Sequence, residues 1–254
     1  MKKLFIFSIF LLVISSCEKP IIEPPEKPEQ KTKFLAEIIY YDKNNIANIA
    51  ESCVWDSLGR LVQFNTFLRN FPYENFFHYN IDNQISRIDF KDRNYGGGYY
   101  EFHWTDENLI EYIDLFLNDQ YTHRSRYTYE YDNIGRCIQI NRNEPFDTKY
   151  RIDWSGNNII RLFDFNSNND TIFYINNPKY DTNPCIYSAL PKIPIIHFSG
   201  VAYNPSENNI IETIYNNGDI SGCLYYDYDN DNYPYQAYIM NANIKRIIYK
   251  IKYK

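Results

Sequence analysis

Four histidines and five cysteines are the first places to look for chemistry in this chain. His78 and His103 each stand directly before an aromatic residue, Tyr79 and Trp104. On successive repeats of a sheet, that placement puts two imidazoles on one face, within reach of one metal ion or a haem iron. Two surface histidines beside aromatic rings would look the same. Trp104 and Trp154 are wide platforms on which a flat ring could stack. Cys53, Cys137, Cys185 and Cys223 lie far apart and form no Cys-x-x-Cys pair. A zinc site is therefore not expected, while disulfides in any of three pairings and buried free thiols both remain open. Asp227-Tyr228-Asp229-Asn230-Asp231-Asn232 begins like a calcium loop. It then has Asn232 where glycine is required and Tyr238 where glutamate is required, so it reads as a turn. No Gly-x-Ser-x-Gly, His-Glu-x-x-His or phosphate loop occurs. No catalytic residue and no metal set is assigned, and a glycan-active enzyme is the least favoured class.

The elements that must position these residues are hairpins. Tyr127, Tyr129 and Tyr131 alternate along one strand, Asp132-Asn133-Ile134-Gly135 is a turn, and Ile138 and Ile140 alternate on the return. The unit recurs. Its aromatic anchors are Trp55, Tyr79, Trp104, Tyr131, Trp154, Tyr180, Tyr203 and Tyr228, spaced 24, 25, 27, 23, 26, 23 and 25 residues apart. A regular period of this size indicates a repeat architecture, and each repeat has room for two strands and two turns. Aromatic residues make up 18% of the chain, with 26 tyrosines and only 9 glycines. That excess favours strands, and asparagine supplies the left-handed backbone that glycine would otherwise provide. The expected fold is all-β: an antiparallel meander of hairpins with a period of about 25 residues, forming a twisted or curled open sheet. The last strand, Ile244 to Lys254, carries five cationic side chains and reads as an edge protected against aggregation.

The N-terminus is organised differently. Lys2 and Lys3 precede an apolar run, and Val13-Ile14-Ser15-Ser16-Cys17 matches a bacterial lipobox. Residues 1–17 therefore read as a lipoprotein signal peptide, with Cys17 as the acylated (palmitate-type) first residue of the mature chain. More than one acyl chain makes attachment durable. The apolar run is too short to span a bilayer as a helix. Residues 18–33, rich in proline, glutamate and lysine, read as an extended tether. Residues 34–254 form a single β domain. The formal charge of −6 disfavours a nucleic-acid partner.

Two turns carry Tyr/Trp-Asp-x-x-Gly-Arg: Trp55-Asp56-Ser57-Leu58-Gly59-Arg60 and Tyr131-Asp132-Asn133-Ile134-Gly135-Arg136. This resembles the YD (RHS-type) repeat. Two later units place a proline after Tyr-Asp, at Pro184 and Pro234. Together with the N-terminus, the mixture resembles a Bacteroidota-type family of lipoproteins of unknown function, one described as having a porphyrin-ligand domain. The resemblance implies an outer-membrane lipoprotein, held by Cys17, that acts as a non-catalytic ligand-binding module. A porphyrin or haem is the ligand it suggests, with His78, His103, Trp104 and Trp154 as candidate contacts. A glycan is the physically plausible competitor, because aromatic faces also stack on sugar rings. The competing class is a structural or protein-interaction subunit of a surface complex.

Overall fold

The computed structural model describes residues 33–42, 44–66, 73–92, 96–117, 122–143, 148–165, 171–187, 190–191, 193, 206–214, 220–241 and 244–254. The signal-like segment, Cys17, the tether up to residue 32 and the anchor Tyr203 lie outside the described residues. Every regular element described is a strand.

Twelve strands come first: β1 (Leu35–Tyr41), β2 (Ala47–Trp55), β3 (Leu61–Thr66), β4 (Tyr73–Tyr79), β5 (Ile85–Asp92), β6 (Gly96–Trp104), β7 (Ile110–Leu117), β8 (Thr122–Tyr131), β9 (Cys137–Asn143), β10 (Thr148–Ser155), β11 (Asn158–Phe165) and β12 (Thr171–Asn176). Each pairs with the next. The chain then leaves the sheet. β13 (Lys179–Pro184), β14 (Asn208–Ile214) and β15 (Ile220–Cys223) form a separate three-stranded sheet. It returns as β16 (Tyr225–Tyr228), β17 (Pro234–Asn241) and β18 (Ile244–Tyr253), and β18 pairs with β1. The result is the antiparallel meander that the repeat predicts, an open fifteen-stranded sheet with β12 and β16 at its edges.

One expectation fails. The lysine-rich segment from Ile244 is not an edge, because β18 lies between β17 and β1. Two of its lysines pair across the outward face, Lys252 with Glu37 and Lys245 with Asp227, both at 2.6 Å. Pairing of the two chain ends is a contact of long sequence separation, which no local pattern encodes.

A one-residue bulge recurs where each anchor strand meets its return strand. Val62, Ser86, Glu111, Ile138 and Ile160 are the extra residues, left without an opposite partner. The bulge turns the strand so that residues three apart both face inward: Leu61 and Phe64, Ile85 and Ile88, Ile110 and Ile113, Cys137 and Ile140, Ile159 and Leu162. All ten are buried. They form one cluster with Leu190 and Ile193, so the segment after β13 packs into the interior of the curled sheet.

The opposite face is polar. Successive strands present Arg87, Glu101, Asp114 and Arg126 in one cross-strand row. Arg126 is paired with Asp114 at 2.8 Å and lies 4.0 Å over the Tyr112 ring. Arg87 lies 3.8 Å over Tyr99. A membrane-spanning barrel shows lipid an apolar outward band. This face instead interleaves ion pairs with aromatic rings such as the stacked Tyr99 and Phe116.

Candidate functional site

The anchors close one end of the interior. Each directs its polar tip to the backbone carbonyl that opens the strand before its own. Trp55 donates to Leu35 at 2.7 Å, Tyr79 to Leu61 at 2.9 Å, Trp104 to Ile85 at 2.7 Å, Tyr131 to Ile110 at 2.9 Å and Trp154 to Cys137 at 2.8 Å. Tyr180 makes the same bond to Ile159. With the N–H or O–H engaged, each ring is fixed in orientation and presents its apolar surface.

The adjoining turns explain the Asp-x-x-Gly-Arg motif. Asp56 Oδ1 accepts from the backbone N–H groups of Leu58 and Arg60, both at 2.9 Å, while Arg60 Nε donates to Oδ2 at 2.7 Å. The Arg60 backbone N–H is the main cause of an Asp56 carboxyl held below its usual range. Asp132 and Arg136 repeat the arrangement. Where the motif departs, the geometry survives. Asn80 and Thr105 accept from the backbone N–H groups of Gln84 and Leu109, and a hydrogen bond from Asn80 Nδ2 to Gln84 Oε1 replaces the ion pair. The fourth turn residue is left-handed throughout: Gly59 and Gly135 at φ +75° and +80°, Asn83 and Asn108 at +66° and +61°. Neighbouring turns are also joined to one another. Arg60 donates to Asn83 at 3.0 Å, Gln84 to Asn108 at 2.7 Å, and Arg136 to the Gly156 carbonyl.

A cleft of about 210 Å³ opens in this rim. Trp104, Tyr131 and Trp154 supply its aromatic surface, and Asn108, Arg136 and Asn157 supply polar groups. Arg136 is held 5.7 Å from the Trp154 ring centre. Across Leu109 and Ile110 lies a second, shallower hollow of about 420 Å³, bordered by Asp106, Glu107, Glu111 and the other side of Tyr131. Anionic groups are disfavoured there. Cys137 borders the cleft, but burial pushes its thiol up to about 12, so it is not a thiolate nucleophile. Cys53, Cys137, Cys185 and Cys223 are all free thiols.

Of the four candidate contacts, the structure brings Trp104 and Trp154 to this cleft. His78 and His103 lie on the outward face, on β4 and β6 with β5 between them. His78 Nε2 is 2.6 Å from Asp89, and His103 stacks on Tyr112 at 4.0 Å. Two strand spacings, roughly 10 Å, separate the two histidine strands. Among the described residues, no group of three or more His, Cys, Asp or Glu side chains is placed to hold a metal. Of the cleft's other members, Tyr131 and Arg136 were read as repeat-motif positions but not as contacts, and Asn108 and Asn157 were not read at all. Their signal was present, since each stands at or beside a motif position in adjacent repeats.

No protein-family model matches the chain, and no curated protein matches it. Among solved structures, a porin-like protein from Bacteroides uniformis ATCC 8492 is similar with a TM-score of 0.51 at 11% identity, covering 86% of this chain and 96% of that one. The likeness is one of sheet architecture. The Tc holotoxin pore of Photorhabdus luminescens is aligned over 81% of this chain and 10% of its own length, at 9% identity and a TM-score of 0.22, which carries no argument.

Proposed function

We propose that this protein is a lipid-anchored envelope module that binds, without catalysis, one ring of a neutral glycan in the rim cleft. The observation that carries this reading is the cleft itself: three aromatic anchors with their polar tips already engaged, beside two asparagines and an arginine. Aromatic faces stack on sugar rings, and a few polar groups fix orientation. Its size also bears on the choice. Clefts that enclose drug-sized ligands run to about 300–1,000 Å³, so about 210 Å³ suits a single ring rather than a whole tetrapyrrole. The acidic hollow beside it would repel porphyrin carboxylates.

The test is tryptophan fluorescence during titration with neutral oligosaccharides and, separately, with protoporphyrin. A saturable change with a saccharide is expected, lost in Trp154→Ala and retained in His103→Ala. A response to protoporphyrin alone would move the assignment to a tetrapyrrole, and silence with both would favour a protein-interaction subunit. Attachment is tested separately. Cys17→Ala is expected to shift the protein from the membrane pellet to the soluble fraction.

A further inference from the structure

Four residues along β2 from Trp55, the inner wall changes character. Glu51 lies opposite Ile38 of β1 and Thr66 of β3, so it shares their inward face. Asn75 of β4 lies opposite Phe64, two residues along β3 from Thr66. All three are more than nine-tenths buried, at 8%, 0% and 1% exposure for Glu51, Thr66 and Asn75. Glu51 Oε1 accepts from the Tyr187 hydroxyl at 3.1 Å, and Asn75 Nδ2 donates to the Phe64 carbonyl at 3.1 Å. The other oxygens of this set, Glu51 Oε2, Thr66 Oγ1 and Asn75 Oδ1, are buried without a hydrogen-bond partner among the described residues.

One such atom costs about 1–3 kcal/mol, and more if it is charged. Native proteins carry few, and here three occupy adjacent positions on one wall. Glu51 Oε2, when ionised, and Asn75 Oδ1 only accept, the Thr66 hydroxyl can donate or accept, and none of the three is hydrogen-bonded to another. A cation held among them would answer all three oxygens at once. Buried carboxylates are normally paired with a cation or bound to a metal, yet no cationic side chain pairs with Glu51 among the described residues. All-oxygen coordination is the preference of hard cations, and calcium takes six to eight oxygens. A single carboxylate with two neutral oxygens suits an ion of lower charge.

We propose that Glu51, Thr66 and Asn75 form an internal binding site for an alkali cation, sodium or potassium. The bound ion bridges β2, β3 and β4 from the inside. It also holds the Glu51 carboxylate that receives Tyr187, so it fastens the segment after β13 to the sheet wall.

The purified full chain, exchanged into N-methylglucamine chloride at pH 8, is titrated with NaCl or KCl at constant ionic strength while the thermal midpoint is followed. A ligand that binds only the folded state raises stability as the logarithm of its concentration over Kd. The expected result is a rise in midpoint with one or both alkali ions, absent in Glu51→Gln and reduced in Thr66→Val. Excess sodium-23 line broadening, lost in Glu51→Gln, gives a direct readout if sodium is the ion. If Glu51→Gln does not fold, Thr66→Val carries the test, since it removes one oxygen at constant shape. Equal midpoints in all three salts would overturn the proposal, because they would mean that the oxygens hold water only. So would an alkali-ion increment that survives in both variants.

Discussion

The rim of turns and the inner wall around Glu51 are built by the same strands, yet they satisfy their polar groups in opposite ways. In the turn from Asp56 to Arg60, one carboxylate is answered by two backbone N–H groups and a guanidinium, all within five residues. On the wall, Glu51, Thr66 and Asn75 are brought together only because β2, β3 and β4 pair, and three of their oxygens have no partner among the described residues. Local satisfaction lets the turn be copied from hairpin to hairpin and survive changes of residue. Groups assembled from separate strands and left unmatched are instead open to a ligand.

The largest expected effect would break the comparison if it were absent. Glu51 is raised by burial from 4.5 to about 7. Below pH 4.5 both folded and unfolded chains hold its proton. Between there and about pH 7 the unfolded chain releases the proton first, so stability falls as pH rises, by about 3 kcal/mol in total. Denaturant unfolding from pH 4 to 8 in N-methylglucamine chloride should show this slope, and Glu51→Gln should flatten it. Asp56 acts in the opposite sense. Its folded pKa is depressed, so its contribution is present above pH 3.8 and is lost on further acidification. Wild type and Asp56→Asn should therefore diverge at neutral pH and converge in acid.

Next in size is the left-handed turn position. Gly135→Ala at φ +80° should cost about 1–2 kcal/mol in chemical denaturation. Gly135→Asn should cost less, because Asn83 and Asn108 already hold that conformation. Equal losses for Ala and Asn would refute the steric account of the turn. Trp154→Phe keeps a ring at the rim and removes the bond to the Cys137 carbonyl, for an expected loss of about 1 kcal/mol by thermal or denaturant unfolding. The smallest effect is expected on the wall. Thr66→Val without alkali ions should stay within about 1 kcal/mol of wild type, since its hydroxyl has no partner to lose among the described residues. A large loss there would reveal a protein partner and remove the contrast with the rim.

The sequence by itself determined what is local. The Asp132 to Arg136 turn, the alternation of Tyr127, Tyr129 and Tyr131, and the spacing of the anchors specify hairpins, and hairpins in series specify a meander. The bulge was not legible there: plain alternation puts Ile138 with Ile140, whereas Ile138 is the exposed extra residue and Cys137 faces inward with Ile140. Tertiary structure decided everything that depends on which distant strands meet. It made β18 an interior strand by pairing it with β1. It set β5 between His78 and His103 and so kept the two imidazoles apart, although their turning away from Trp104 and Trp154 is local alternation. It gathered Asn108, Arg136 and Asn157 from three turns into one cleft, and Glu51, Thr66 and Asn75 from three strands onto one wall. The physical reason is that a turn is settled by hydrogen bonds within five residues. A site assembled across a curled sheet is settled only when registers, bulges and chain ends are all in place.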